Sequence, residues 1–248
     1  MKRLGIIDWG IGGVSIYKLI KEKIADVPTT YFSDTGVAPY GKMTRHEIAE
    51  RLNVVIPFLK SRGVSHIVIG CNAASTAIPF LGDHGVSVEG LIGPAVAMTA
   101  KLKPSKLGLI GGRRTVVSGV YRRAFAELGI DVNQRVAQPL SGLIENGDIS
   151  SKTLQTKAKQ ILTPIKNSSH ILLACTHYPA IVNVLRNYVS TRTKFIDPAS
   201  EMVKIVKRWN LGNLGDDEFL TSGDVAAMKR AAKNAFGVKI ERVVKIKL

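Results

Sequence analysis

His66-Ile67-Val68-Ile69-Gly70-Cys71-Asn72 and His170-Ile171-Leu172-Leu173-Ala174-Cys175-Thr176 follow one pattern: His-Ile, three small or aliphatic residues, then cysteine. These are the chain's only two cysteines, and the stretches are offset by 104 residues. Each apolar run reads as a buried strand, with a polar residue and a helix predicted after it. A single free cysteine packs as a small hydrophobe, and either one alone would pass for core. Matched positions at two strand ends point to a site instead, because ligands of α/β folds gather at the carboxyl ends of strands.

The match extends outward. Lys2-Arg3-Leu4-Gly5-Ile6-Ile7 resembles Ser105-Lys106-Leu107-Gly108-Leu109-Ile110 at an offset of 103 residues. Two matches at nearly constant offset indicate a duplicated α/β unit. Strands are predicted at 2–7, 29–33, 66–70, 106–111, 131–136, 170–174 and 194–196. Helices are predicted at 14–24, 116–128, 151–166 and 179–188, with a short one holding Glu145. Another runs from Thr44 to about Arg62, where Thr44 and Glu47 form a capping box and Pro57 introduces a kink. Beyond an expected linker at Gly212–Asp217, strands at 219–222 and 240–246 flank a helix at 225–236. The alternation predicts parallel sheets covered by helices. The expected fold is α/β, with two similar parallel-sheet α/β domains related by pseudo-two-fold symmetry and the active site in the cleft between them. The N-terminal domain would span 1–93 and be joined by 209–248; the second would span 94–208.

A hydrophobic content of 45% suits a sizeable core, and Lys and Arg interrupt every run that could cross a bilayer. Met1-Lys2-Arg3 leads straight into a strand, as in a folded domain and unlike a signal peptide. Two thiols at matched strand ends make a poor disulfide framework, which implies a reducing cytoplasm. The net charge is +16, but it is dispersed, with Arg113-Arg114 and Arg122-Arg123 the tight pairs of the central region. Nucleic-acid binding is possible but not favoured; solubility or attraction of anionic substrates accounts for the charge better.

A substrate in the cleft would have a thiol on each side. A thiolate can remove a proton from one face while a thiol delivers one to the other, which inverts a stereocentre. Free thiols have a pKa of about 8.5, and the base needs activation. Asp8 ends the strand expected beside that of Cys71, and His177 lies two residues after Cys175; each could orient or deprotonate a thiol. The competing reading of Asp8 is a helix N-cap. His66 and His170 precede their strands and read as structural. Metal binding would need more ligands at short spacing, and a Cys-His hydrolase would leave the symmetry unexplained. Gly10-Ile11-Gly12-Gly13 departs from the dinucleotide fingerprint and reads as a tight turn at a substrate-facing helix N-terminus, able to hold a carboxylate.

At these residues the sequence resembles the aspartate/glutamate racemase superfamily, most closely the glutamate racemases. The resemblance rests on Asp8-Trp9-Gly10-Ile11-Gly12-Gly13, Tyr31-Phe32-Ser33-Asp34-Thr35, Ala38-Pro39-Tyr40-Gly41, Cys71-Asn72-Ala73-Ala74-Ser75, Leu143-Ile144-Glu145-Asn146-Gly147 and Ala174-Cys175-Thr176-His177-Tyr178-Pro179. It implies racemisation of a small amino acid without pyridoxal phosphate or another cofactor, and assembly as a homodimer. If glutamate is the substrate, the product is D-glutamate for peptidoglycan. Cys71 and Cys175 would be catalytic, assisted by Asp8 and His177, and Asp34 and Glu145 match acidic positions of the family site. Pro39, Tyr40, Gly41, Asn72 and Thr176 match substrate-contacting positions, and Trp9, Ala73 and Thr115 belong to the same set. Three departures stand out: the family usually has serine at Trp9 and threonine at Ala73 and Gly112. Losing a donor to a charged group costs about 1.5–3 kcal/mol, so these changes bear on substrate choice more than on the reaction. A homologue that binds without catalysing, or an isomerase for another small carboxylate, would share the same fold.

Overall fold

Short, largely apolar runs form the central strands, and segments with helical spacing fill the intervals. The computed structural model describes residues 2–24, 26–212 and 215–248. In chain order these hold β1 (Arg3–Asp8), α1 (Val14–Lys23), β2 (Thr29–Ser33), α2 (Arg45–Ser61), β3 (Val64–Ile69), α3 (Asn72–Ser75) and β4 (Ser87–Glu89). They continue with α4 (Ile92–Lys101), β5 (Leu107–Gly111), α5 (Arg113–Val117), α6 (Val120–Ala126), β6 (Val132–Val136), α7 (Gln138–Glu145) and α8 (Lys152–Leu162). Then come β7 (His170–Ala174), α9 (Val182–Arg186), β8 (Lys194–Ile196), α10 (Ala199–Arg208), β9 (Glu218–Thr221), α11 (Val225–Phe236) and β10 (Val244–Lys245).

The strands form two wholly parallel sheets, ordered β10-β9-β2-β1-β3-β4 and β6-β5-β7-β8. The repeat read from the sequence is therefore also a repeat of pairing: β2-β1-β3-β4 and β6-β5-β7-β8 occur in the same order. Register agrees as well. Leu4 pairs with Thr29 and His66, and Leu107 pairs with Val132 and His170. Gly5 and Gly108 occupy equivalent places for one reason. A Cβ there would stand 2.8 Å from Val64 Cγ1 and 2.9 Å from Ser168 Oγ respectively.

One apolar cluster crosses from sheet to sheet, joining Leu4, Ile6 and Tyr31 to Ile110, Leu140 and Leu173. Helix α10 follows the last strand of the smaller sheet yet packs on α1 of the larger one, burying Met202, Ile205 and Val206.

Several elements differ from the sequence reading. The helix expected over 116–128 is two helices, broken where Gly119 adopts φ +69, a left-handed conformation that a side chain would resist. The segment at 151–166 ends its α-helix at Leu162 and continues as a 3₁₀ turn over Thr163–Ile165, because Pro164 cannot extend the ladder. The strand expected over 240–246 pairs only at Val244–Lys245. Helix α2 keeps its Thr44/Glu47 capping box and runs through Pro57. Residues 213 and 214 of the expected linker lie outside the described residues.

Candidate active site

The carboxyl ends of β1, β3, β5 and β7 converge on one cavity of about 310 Å³. Its wall includes Cys71 and Cys175, one from each sheet, both free thiols. Asp8, Trp9, Pro39, Tyr40, Gly41, Asn72, Ala73, Thr115, Thr176 and His177 also line it.

Each thiol has its own partner. On the larger sheet, Asp8 lies next to Cys71. Its carboxylate is pinned from behind, accepting from Trp9 N and Gly13 N, both at 2.8 Å. Burial raises the Asp8 carboxyl above its usual range, against the opposing pull of His177's positive charge. Burial and then the Asp8 charge push the Cys71 thiol well above its ordinary value. Cys71 is thus held as a thiol, ready to give a proton.

On the smaller sheet, His177 Nδ1 lies 3.6 Å from Cys175 Sγ and Nε2 lies 2.6 Å from Glu145 Oε2. Burial alone would depress this imidazole, but the hydrogen bonds to Cys175 and Glu145 outweigh it and hold it well above its ordinary value. The two thiols therefore differ in their partners, a carboxylate beside Cys71 and an imidazole beside Cys175.

The Gly10–Gly13 turn connects the two halves of the site. The sequence predicts that its amides could hold a carboxylate. They do, but the carboxylates are the protein's own: Gly13 N donates to Asp8, and Ile11 N donates to Glu145 Oε2 at 3.0 Å. A Cβ on Gly10 would stand 2.1 Å from Glu145 Oε2, and one on Gly12 would stand 2.4 Å from Thr176 Oγ1. Glycine is required here by space, since the turn lies directly against Glu145, Thr176 and His177 of the other half.

Over residues 4–206 the sequence matches the Asp/Glu/Hydantoin racemase family. The chain belongs to that family. Membership makes it an enzyme of the isomerase class, a racemase. Among curated relatives, glutamate racemase 2 of Caldanaerobacter subterraneus subsp. tengcongensis is 30% identical over 97% of this chain and 95% of its own length. Among solved structures, glutamate racemase isoform RacE1 from Bacillus anthracis superposes with a TM-score of 0.89 at 25% identity, covering 100% of this chain and 98% of that one. The Thermus thermophilus glutamate racemase, solved with β-chloro-D-alanine, gives 0.87 at 28% identity over 100% and 97%.

The remaining family positions divide by what their polar atoms do. Asp34 is fully buried behind the cavity wall. It accepts from Arg51 Nε and Nη2 at 2.8 and 2.7 Å, from Tyr40 Oη at 2.6 Å and from Ser222 Oγ at 2.7 Å. With its oxygens so occupied it holds Tyr40 in place and does not reach the cavity. Glu145 likewise is not part of the cavity wall and is hydrogen-bonded to His177. Asn72 Oδ1 accepts from Tyr121 Oη at 2.7 Å across the sheet boundary. The Trp9 ring lines the cavity while its Nε1 donates to Val37 O at 3.1 Å, tying down the loop that carries Pro39 and Tyr40. Thr115 is 1% exposed, and its hydroxyl has no partner among the described residues. Lys42, Gln138, Ser141 and Gly142 also line the cavity and escape the sequence reading. The usable signal for Gln138 was its place just past the carboxyl end of β6.

Glu145→Gln is expected to lower the titration point of His177, since the amide keeps the shape and an acceptor oxygen but removes the charge. The imidazolium would then discharge at lower pH, moving the high-pH limb of kcat/KM downward. Stability has the same sign. A raised imidazole stabilises the fold below the ordinary imidazole range and loses that contribution as pH rises through the raised value. The variant should therefore lose most thermal stability at acid pH. Imidazole NMR titration and melts across pH check both points.

Proposed function

We propose that this racemase inverts Cα of a small amino acid, with glutamate as the default substrate, using Cys71 and Cys175 as acid and base on opposite faces. Cys175, beside the His177 imidazolium, takes the Cα proton as thiolate, and Cys71 delivers one to the opposite face; the reverse direction exchanges these roles. Asp8 and His177 set the two protonation states, Glu145 orients His177, and Asp34 positions Tyr40. The carrying observation is that the chain's only cysteines line one cavity from two sheets, each with its own titrating partner.

The reading includes independence from pyridoxal phosphate, a homodimer, a cytoplasmic location and, with glutamate as substrate, supply of D-glutamate to peptidoglycan. These follow from the family resemblance. Among the described residues no helix is long and apolar enough to cross a membrane. The domain division of 1–93 with 209–248 and 94–208 is proposed with it, supported by strand membership of the two sheets. A second reading, another small amino or carboxylic acid as substrate, is favoured by Trp9 in the cavity wall and by the non-hydroxyl residues at Ala73 and Gly112.

The purified protein in deuterium oxide, given a panel of L- and D-amino acids, should label Cα and racemise at least one of them. NMR and circular dichroism read the two events. No exchange with any member of the panel would sink the proposal.

A further inference from the structure

We propose that Lys42, Arg113 and Arg114 form a subsite for an anionic oxygen group at the far end of the substrate, one step beyond the catalytic cavity. The inference rests on the racemase reading above and specifies its substrate class. A second cavity of about 300 Å³ is lined by Gly41, Lys42, Arg113, Arg114 and Val117. It shares Gly41 and Lys42 with the catalytic cavity, so the two are neighbours across those residues.

The three cations are uncommitted. Among the described residues none of them forms a salt bridge. The Nε of Arg114 is buried without a hydrogen-bond partner. Glu47, a carboxylate on which the Arg114 charge acts, is committed to capping α2 through Thr44 N at 2.6 Å.

The turn that carries the arginines is held firmly. Gln138 Oε1 accepts from Arg113 N at 3.0 Å. Gly41 and Gly112 close around that same oxygen, where a Cβ would stand 2.7 and 3.0 Å away. Gln138, which lines the inner cavity, thus fixes the start of α5.

Chemistry indicates the occupant. Guanidinium forks match carboxylate, sulfonate and phosphate oxygens in pairs. The inner cavity meanwhile has an indole at Trp9, a methyl at Ala73 and no side chain at Gly112, where the family usually has hydroxyls. Within the inner wall Lys42 is the only lysine or arginine. A substrate's distal acid is therefore better matched by the annex than by the inner wall.

Two measurements decide it. In the first, iodoacetamide labelling of Cys71 and Cys175 is followed by mass spectrometry with glutarate, butyrate or sulfate present. Glutarate should protect about tenfold better than butyrate, and Arg113→Ala with Arg114→Ala should erase the difference. Equal protection by the two acids, or a difference that survives in the variant, overturns the subsite. Sulfate protecting as well as glutarate would assign the cavity to a free anion and overturn the substrate role. In the second, kinetics compare glutamate with glutamine and 2-aminoadipate with norleucine. The variants should raise KM for the acidic member of a pair about tenfold and leave the neutral member nearly unchanged; equal losses on both members would count against the proposal. If the parent exchanges no amino acid at all, the racemase reading fails, and the labelling arm still decides the subsite.

Discussion

Cys175→Ala is expected to end racemisation while slow Cα exchange persists on the face served by Cys71, and Cys71→Ala should give the mirror result. Inversion needs a base and an acid on opposite sides of one carbon. Exchange needs a single group that takes a proton and returns one from solvent. Each thiol stands at its own strand end with its own partner, Asp8 for Cys71 and His177–Glu145 for Cys175. Removing one leaves the other half-site intact. Loss of a positioned acid or base costs about a hundredfold to ten-thousandfold, and alanine brings no substitute donor. Racemisation by circular dichroism and exchange by NMR, run on each enantiomer separately, resolve the two events. A single variant that still racemised at the parent rate would refute the two-thiol assignment.

Gly12→Ala should be nearly as damaging, although Gly12 makes no chemical contribution. Its Cβ would stand 2.6 Å from His177 Nδ1 and 2.4 Å from Thr176 Oγ1. Both neighbours are buried, and His177 is held from behind by Glu145, which leaves little room to give way. Either the turn shifts, breaking the Ile11–Glu145 bond, or His177 moves off Cys175. A misplacement of about 1 Å in a catalytic constellation costs on the order of a hundredfold. The effect should fall mainly on kcat, with the Cys175-dependent exchange slowed and the Cys71-dependent exchange nearly spared. Equal slowing of both would mean that the turn supports the whole cavity and not one corner.

The parts legible in the sequence were those in which local pattern and tertiary role coincide. The buried strands around Cys71 and Cys175 must be apolar over their whole length, and the repeat offset carried over into strand order and register. Helix α2 announced its start through Thr44 and Glu47. Other elements were missed. Strand β4 is three residues at a sheet edge. Helix α10 did carry a signal that the sequence reading passed over: Ala199, Met202, Ile205 and Val206 recur at helical spacing, and Glu201 and Lys207-Arg208 suit its two ends. Gly119 looked like one more residue of a helix, because a positive φ leaves no trace in hydrophobic spacing. Site membership followed the same division. Residues at strand ends were found, whereas Gln138 and Ser141 enter from the first turn of α7 and Lys42 from the loop before α2. Asp34 sits at a strand end but turns to Arg51, Tyr40 and Ser222, a choice made by side chains distant in sequence.

The unlike partners of the two thiols have a thermodynamic consequence. Enantiomers have equal free energy in an achiral solvent, so kcat/KM must be the same for both directions, whatever surrounds each sulfur. A carboxylate beside Cys71 and an imidazole beside Cys175 therefore cannot favour one hand at equilibrium. They can make the enzyme saturate at different concentrations of the two hands, with kcat differing in proportion. Under the proposed two-thiol mechanism the free enzyme would also have two resting forms, distinguished by which sulfur holds the proton. Each turnover would then release product from the form opposite to the one that bound substrate. At high flux, the return between these forms, a proton exchange with solvent at a half-buried thiol, would become a step of the cycle in its own right.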